Sequence, residues 1–434
     1  LVDIVTLRGI QTYMHDRLLP IHDASGLHCR FCAKPLHHTF ADLGVSPLSN
    51  SYLAPEALNR MEPFFPLRVY VCEGCKLVQL PEHQSPDAIF SDYAYFSSFS
   101  DSWLEHAQRY ADHITEYCDL GEASYVVEVA SNDGYLLKYF KAKNIPILGI
   151  EPARNVAEVA QAAGIPTLIR FFGAETARWL TDSGYRADLL LGNNVLGHVP
   201  DVNDFVSGVK ILLKPNGTAT FEFPHLLQLM QQNQFDTIYH EHFSYYSLLA
   251  VEQIFAAHGL RLFDVEELAT HGGSLRIYAR HEADETRPVS PRIEALKQRE
   301  RDYGLEHMET YHAFGAQVEE TKSKLLEFLI AARRAGKKVV GYGAPAKGNT
   351  LLNYCGIRND FIEYTVDRSP HKQGNFLPGS RLPILHPDAI AQTKPDYLLI
   401  LPWNLRDEIV EQMSFIKEWG CRFVVPIPEV EVLE

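Results

Sequence analysis

Tyr125-Val126-Val127-Glu128-Val129-Ala130-Ser131-Asn132-Asp133-Gly134 is the stretch that decides the fold. Six residues suited to a buried strand break into four small polar ones, the chemistry of a tight turn. A helical run, Tyr135 to Lys143, follows. The next strand, Ile147-Leu148-Gly149-Ile150, ends at Glu151-Pro152. Strand, small-residue turn, helix, strand, acid is the opening of a doubly wound α/β sheet that binds a ribose-bearing ligand. Gly134 lets the backbone approach such a ligand, and Glu151 can accept from two adjacent hydroxyls. There is no Gly-x-Gly-x-x-Gly here, which disfavours a nicotinamide or flavin pyrophosphate. A cofactor without phosphate, such as S-adenosylmethionine, fits the turn better.

The alternation continues outward. Val156 to Ala163 reads as helix, and Asp188 to Asn194 as a strand ending in polar groups. Val202 to Leu213 reads as helix, closed by the turn Lys214-Pro215-Asn216-Gly217 before the strand Thr218 to Pro224. Ligands of such sheets sit at the carboxyl ends of the strands. His198 falls just past one of those ends, where it fits either a cap or a site. Tyr239-His240-Glu241-His242-Phe243-Ser244-Tyr245-Tyr246 follows, ahead of a helix from Ser247 to His258. Two imidazoles, a carboxylate and three phenols in eight residues point to an acid–base centre more than to packing.

Upstream stand two cysteine pairs, Cys29-Arg30-Phe31-Cys32 and Cys72-Glu73-Gly74-Cys75. Each two-residue spacer lets both thiolates reach one ion, and two such pairs close a tetrahedral zinc site with no open position. Four free or redox-active thiols are the alternative. Asp92-Tyr93-Ala94-Tyr95-Phe96-Ser97-Ser98 is aromatic and hydroxyl-rich, equally suited to a packed loop and to a site. Trp103 to Tyr117 reads as an amphipathic helix.

Downstream, Thr270-His271-Gly272-Gly273-Ser274-Leu275-Arg276 enters a strand. Ser274 and Arg276 can bind an anion there; a hairpin turn with a surface Arg explains them as well. Residues 281–335 are charged with apolar residues at helical spacing, and read as two helices. A second α/β unit begins at Lys338-Val339-Val340-Gly341-Tyr342-Gly343 and runs through Ala344-Pro345-Ala346-Lys347-Gly348-Asn349-Thr350 into a helix. A glycine turn, a lysine and a helix N-terminus make an anion site. Lys347, Arg368 and Lys372, all near strand ends, suit a diphosphate; surface lysines on a dimerisation domain are the rival reading.

The chain has 434 residues and a formal net charge of -15, which disfavours nucleic acid and anionic membranes as main partners. No run approaches the length of a membrane span, and Leu1 to His28 lacks a signal-peptide pattern. Seven cysteines, unevenly spaced, do not make a disulfide scaffold, so the expected compartment is the cytoplasm.

In combination these motifs resemble the S-adenosylmethionine-dependent sugar C-methyltransferases, which methylate C-3' of nucleotide-linked 4-keto deoxysugars. The resemblance runs from Cys29 to the C-terminal strands. It implies an α/β protein with an N-terminal zinc-binding module (1–90), a central Rossmann-like methyltransferase domain (91–280), a helical linker (281–335) and a second Rossmann-like, nucleotide-sugar-binding domain (336–434). Cys29, Cys32, Cys72 and Cys75 are similar to the zinc ligands. Glu128, Ser131, Asn132, Asp133, Gly134, Glu151, Asn193 and Tyr95 are implied for S-adenosylmethionine. His242 is similar to the catalytic base, with Tyr239, Glu241, Tyr93 and His198 about the sugar. His271, Ser274, Arg276, Gly343, Lys347, Asn349 and Arg368 are implied for the substrate. Val129-Ala130 departs from the family pattern, where many methyltransferases carry a glycine before the turn. The expected partner is a dTDP- or GDP-linked 4-keto-6-deoxysugar, with the protein a monomer or homodimer. A C-methyltransferase acting at C-5' or on another activated carbonyl compound, an inactive zinc-containing scaffold and a zinc-bearing nucleic-acid methyltransferase are the rivals.

Overall fold

The structure, a computed structural model, describes residues 26–85, 97–99 and 101–433. Tyr93 and Tyr95 lie outside them. The N-terminal lobe opens with β1 (His38–Ser46), β2 (Phe65–Val71) and β3 (Val78–Gln79), joined antiparallel.

The central sheet starts with β4 (Val126–Val129), β5 (Ile147–Ile150), β6 (Thr167–Leu168), β7 (Ala187–Asn193) and β8 (Leu213–Pro224). All are parallel to their neighbours, and β4 is buried at every residue, as expected of a strand covered on both faces. β8 absorbs the predicted turn at 214–217. Its pairing with β7 jumps from Ala187–Leu213 to Leu189–Thr218, so those four residues bulge from the ladder instead of ending the helix before it.

The chain then leaves this sheet. β9 (Ser244–Tyr245) pairs with β3 and completes the N-terminal sheet in the order β1-β2-β3-β9. β10 (Leu260–Leu268) and β11 (Ser274–His281) return to close the central sheet as β10-β11-β8-β7-β4-β5-β6, with β11 antiparallel to both neighbours. The sheet is therefore mixed at one side, not wholly parallel.

The C-terminal sheet contains β12 (Val339–Tyr342), β13 (Thr365–Val366), β14 (Ile384–Leu385), β15 (Tyr397–Ile400), β16 (Arg422–Val425) and β17 (Glu431–Val432). Its order is β14-β13-β12-β15-β16-β17, parallel except for β17. Between the two sheets lie helices Pro291–Tyr303 and Met308–Arg334.

The second of these helices is a strut through a shared core. Phe314 stacks on Phe40 of β1 with ring centres 4.6 Å apart, and Leu325 and Leu329 share one apolar cluster with Val69, Met230, Leu351 and Leu399. The first helix contributes Glu300, a fully buried carboxylate. It accepts from the backbone N–H groups of Leu248 (2.6 Å) and Leu249 (2.9 Å), capping helix Leu248–Ala257, and meets His225 Nε2 at 2.7 Å. Glu300→Ala leaves those donors buried without an acceptor. We expect it to lower the unfolding free energy by about 3 kcal/mol, read from the urea midpoint at unchanged slope. Among the described residues no helix is long and apolar enough to cross a membrane.

Candidate active site and zinc centre

The two cysteine pairs fold into matching knuckles. In each, the residue after the second cysteine takes a left-handed backbone, Ala33 at φ 59° and Lys76 at φ 61°. Its N–H turns back to the carbonyl of the first cysteine, at 2.9 Å in both. The knuckles face one another. Cys29 and Cys75 bring their Sγ atoms to 3.6 Å and Cys32 and Cys72 to 3.4 Å, and all four lie within 4.8 Å of one another. A tetrahedral zinc thiolate site has edges of about 3.8 Å, so the four sulfurs fit that ion. Gln79 Nε2 donates to Cys29 Sγ at 3.2 Å, support the sequence pattern did not mark.

At the carboxyl end of β4 the chain makes its predicted turn with three left-handed residues, Ala130 (φ 55°), Asn132 (φ 50°) and Gly134 (φ 80°). Ala130 holds the conformation that a glycine adopts without cost, which is how the departure from the family pattern is accommodated. Gly134 is required by packing as well as by φ: a Cβ there would stand 2.9 Å from Ile165. Glu151 accepts from the Asn132 N–H with one oxygen and from the Ala153 N–H with the other, both at 2.9 Å. It ties the turn to the next helix. Asn132 and Asp133 in turn accept from the N–H groups of Ser97 and Ser98, and Asn193 reaches the Tyr135 hydroxyl at 3.5 Å.

Four acceptor atoms here have no donor among the described residues: both carboxyl oxygens of Glu128, Ser131 Oγ and Asp133 Oδ1. Glu128 is fully buried, and desolvation, with Glu151 and Asp133 adding to it, raises its pKa well above the carboxylate range. Acceptors without donors suit a cationic ligand, and S-adenosylmethionine carries an ammonium and a sulfonium.

The histidine-rich motif joins the chain just past the carboxyl end of β7, where the Phe243 N–H meets the Gly197 carbonyl, and its three central residues point to three different partners. His240 is buried, with Nε2 3.1 Å from the Pro66 carbonyl in β2. Glu241 accepts from Asn50 Nδ2 at 2.6 Å, and burial raises its pKa to about 7. His242 is half-buried; its Nδ1 donates to the Thr237 carbonyl at 2.8 Å. That bond leaves the lone pair on Nε2. Tyr239 lies against His242 with ring centres 3.9 Å apart, and His198 meets it edge-on at 4.8 Å. Desolvation first, then His198, pushes the His242 pKa well below its ordinary value, so the ring is neutral near pH 7.

His198 Nδ1 donates to the Glu241 carbonyl at 2.7 Å, and burial lowers its pKa to about 4. A neutral ring of that tautomer has no Nε2 proton, so it is no donor to an oxyanion. The motif itself is pinned at Phe243, whose N–H donates to the Gly197 carbonyl and whose carbonyl accepts from Leu80 of the N-terminal lobe.

Several residues expected to touch substrate are engaged elsewhere. Arg276 is buried, bonded to Glu222 at 2.7 Å and Glu266 at 3.2 Å, with its guanidinium 4.3 Å from the Tyr110 ring centre. Ser274 Oγ donates to the Thr270 carbonyl. Asn349 is buried and donates to the Ser49 carbonyl at 2.6 Å. Gly343 (φ 89°) makes room for Pro402, which a Cβ would approach to 2.5 Å. Arg368 is exposed, 3.8 Å from Glu408. His271 is exposed at φ 56°, edge-on to Trp103.

Lys347 stands at the start of helix Ala346–Cys355, with Nζ over the Trp403 ring at 4.6 Å and bonded to Asn404. Burial lowers its pKa to about 8, and Asp236 opposes the shift. Trp403 Nε1 donates to Asp236 at 2.8 Å, and burial raises the Asp236 pKa to about 7. Asp236, Trp403 and Asn50 carried no local motif; only the fold brings them here.

A zinc binding domain family matches residues 29–90, a methyltransferase domain family residues 103–265, and the C-methyltransferase C-terminal domain family residues 269–428. C-methyltransferase NovU of Streptomyces niveus is 37% identical over 97% of this chain and 99% of its own. A ubiquinone biosynthesis O-methyltransferase of Bartonella bacilliformis is 28% identical over 21% of this chain and 38% of its own. A solved S-adenosylmethionine-dependent methyltransferase of Clostridium acetobutylicum aligns with 41% of this chain and 92% of its own, at 11% identity and a TM-score of 0.33.

Proposed function

The chain belongs to the zinc-domain C-methyltransferases, S-adenosylmethionine-dependent enzymes, and from that premise we propose that it methylates C-3' of a nucleoside-diphosphate-linked 4-keto-6-deoxysugar. The observation that carries the reading is the fixed tautomer of His242, whose Nε2 lone pair is held beside Tyr239.

A carbon next to a ketone becomes a nucleophile once its proton leaves as the enolate forms. His242 Nε2 takes that proton. Burial makes it a weak base, because its cation is poorly solvated. Negative charge growing on the sugar oxygen raises its proton affinity as the proton moves. Tyr239 donates to that oxygen, the role His198 cannot fill in its tautomer. When bound, S-adenosylmethionine supplies an electrophilic methyl group to the carbon. The unpartnered oxygens of Glu128, Ser131 and Asp133 support its cationic part. Lys347 supports the diphosphate from the C-terminal domain.

The test is hydrogen exchange in D2O, without methyl donor, on dTDP- and GDP-linked 4-keto-6-deoxysugars. Deuterium is expected at C-3', followed by methyl gain by mass when S-adenosylmethionine is added. Deuterium at C-5' alone, or with neither sugar nucleotide at any carbon, sinks the C-3' reading.

A further inference from the structure

The loop 48–53 of the N-terminal lobe carries no motif of its own, yet it is wedged between the histidine-rich motif and the C-terminal domain. Ser49 offers its carbonyl to Asn349, the Tyr52 hydroxyl donates to the Ala344 carbonyl at 2.7 Å, and Leu53 bridges to Phe376. Asn50 sits between these anchors with its amide turned toward Glu241 Oε1, 2.6 Å away. Glu241 is 5% exposed. Around it stand His198, bonded to its backbone carbonyl, and Tyr52, behind which lie Lys372 and Asp367. Lys372 spends its charge on Asp367 and the Ala344 carbonyl. No cation is paired with Glu241 among the described residues, and the Asn50 amide is the donor that holds its carboxyl group.

We propose that Asn50 is a positioning residue of the active site: its amide fixes Oε1 of Glu241 and so sets the direction of the other oxygen toward the sugar. The N-terminal lobe thereby contributes to the site through a hydrogen bond as well as through its zinc. The catalytic half of this claim rests on the proposed function; the pairing itself does not.

Thermal unfolding of four proteins tests the pairing: wild type, Asn50→Ala, Glu241→Gln and the double variant, each at pH 5 and pH 8.5. A buried Glu241 is protonated at the lower pH and ionised at the higher, so its stability contribution falls as pH rises through about 7. Asn50 supports the ionised form more strongly. The melting temperature lost on Asn50→Ala is therefore expected to be roughly 2 °C larger at pH 8.5 than at pH 5. That difference vanishes in the Glu241→Gln background. An equal loss at both pH values, or a difference that survives Glu241→Gln, overturns the pairing.

Methyl transfer tests the positioning. Asn50→Ala is expected to lower kcat about tenfold with KM nearly unchanged, and Asn50→Gln to recover less than half of it. An unchanged kcat in a variant that shows the melting signature overturns the positioning role. A wild type that exchanges no hydrogen on any 4-keto sugar instead sinks the functional reading and leaves the melting cycle standing.

Discussion

His242→Ala is expected to reduce both C-3' hydrogen exchange and methyl transfer about a thousandfold, while S-adenosylmethionine binding by calorimetry is unchanged. The two activities fall together because proton removal precedes both. In the wild type the proposed base is the neutral ring, whose pKa lies below the ordinary histidine range. The part of the rate that depends on His242 is therefore flat near neutrality and is lost as pH drops through that lowered pKa. The alanine variant lacks this acid limb. His198→Ala removes the ring that meets His242 edge-on, but leaves the Thr237 bond that orients His242. We expect it to cost about tenfold. Exchange at the wild-type rate in His242→Ala would take the base role from His242.

The second large effect concerns metal. Cys72 follows β2 directly, Cys75 precedes β3, and β3 carries β9 as its neighbour. Only one residue separates His242 from β9. Without an ion, four thiols that come within 4.8 Å must separate or share protons. The β2–β3 turn then loosens, and the motif loses the sheet that fixes it. Cys72→Ser, or stripping with a chelator, is expected to remove the zinc and more than about 99% of methyl transfer, since misplacing a base by one ångström already costs about a hundredfold. Hydrogen–deuterium exchange should locate the damage: lost protection at 243–246 with β4 and β5 still protected. Full activity in a metal-free protein would show that the ion does not hold the site.

The parts of this protein legible in its sequence are those with local chemistry. The cysteine spacing gave four sulfurs at one point. The run from Val126 through Gly134 to Glu151 gave two parallel strands and the turn between them. What was not legible depends on pairing across distance. Nothing in His240-Glu241-His242 says which ring meets a carbonyl of β2 and which the carbonyl of Thr237. Arg276 looked like an anion ligand because its partners, Glu222 and Glu266, lie on other strands. Gly343 looked like a ligand approach and proved to be room for Pro402. Its surroundings carry the same lesson. Gly343-Ala344-Pro345 follows β12 and leads into helix Ala346–Cys355, yet the Ala344 carbonyl is occupied by Tyr52 and Lys372 of other segments.

The N-terminal sheet also bears on how the protein is made. Its β3 emerges from the ribosome with a bare edge, and the strand that covers it, β9, lies within the Ser244–Tyr245 segment. At cellular synthesis speeds the wait is on the order of ten seconds. Phe40 waits longer still, until the helix bearing Phe314 has been made. A nascent chain stalled in between displays an unpaired strand and an uncovered aromatic face, the surfaces that chaperones bind and aggregates grow from.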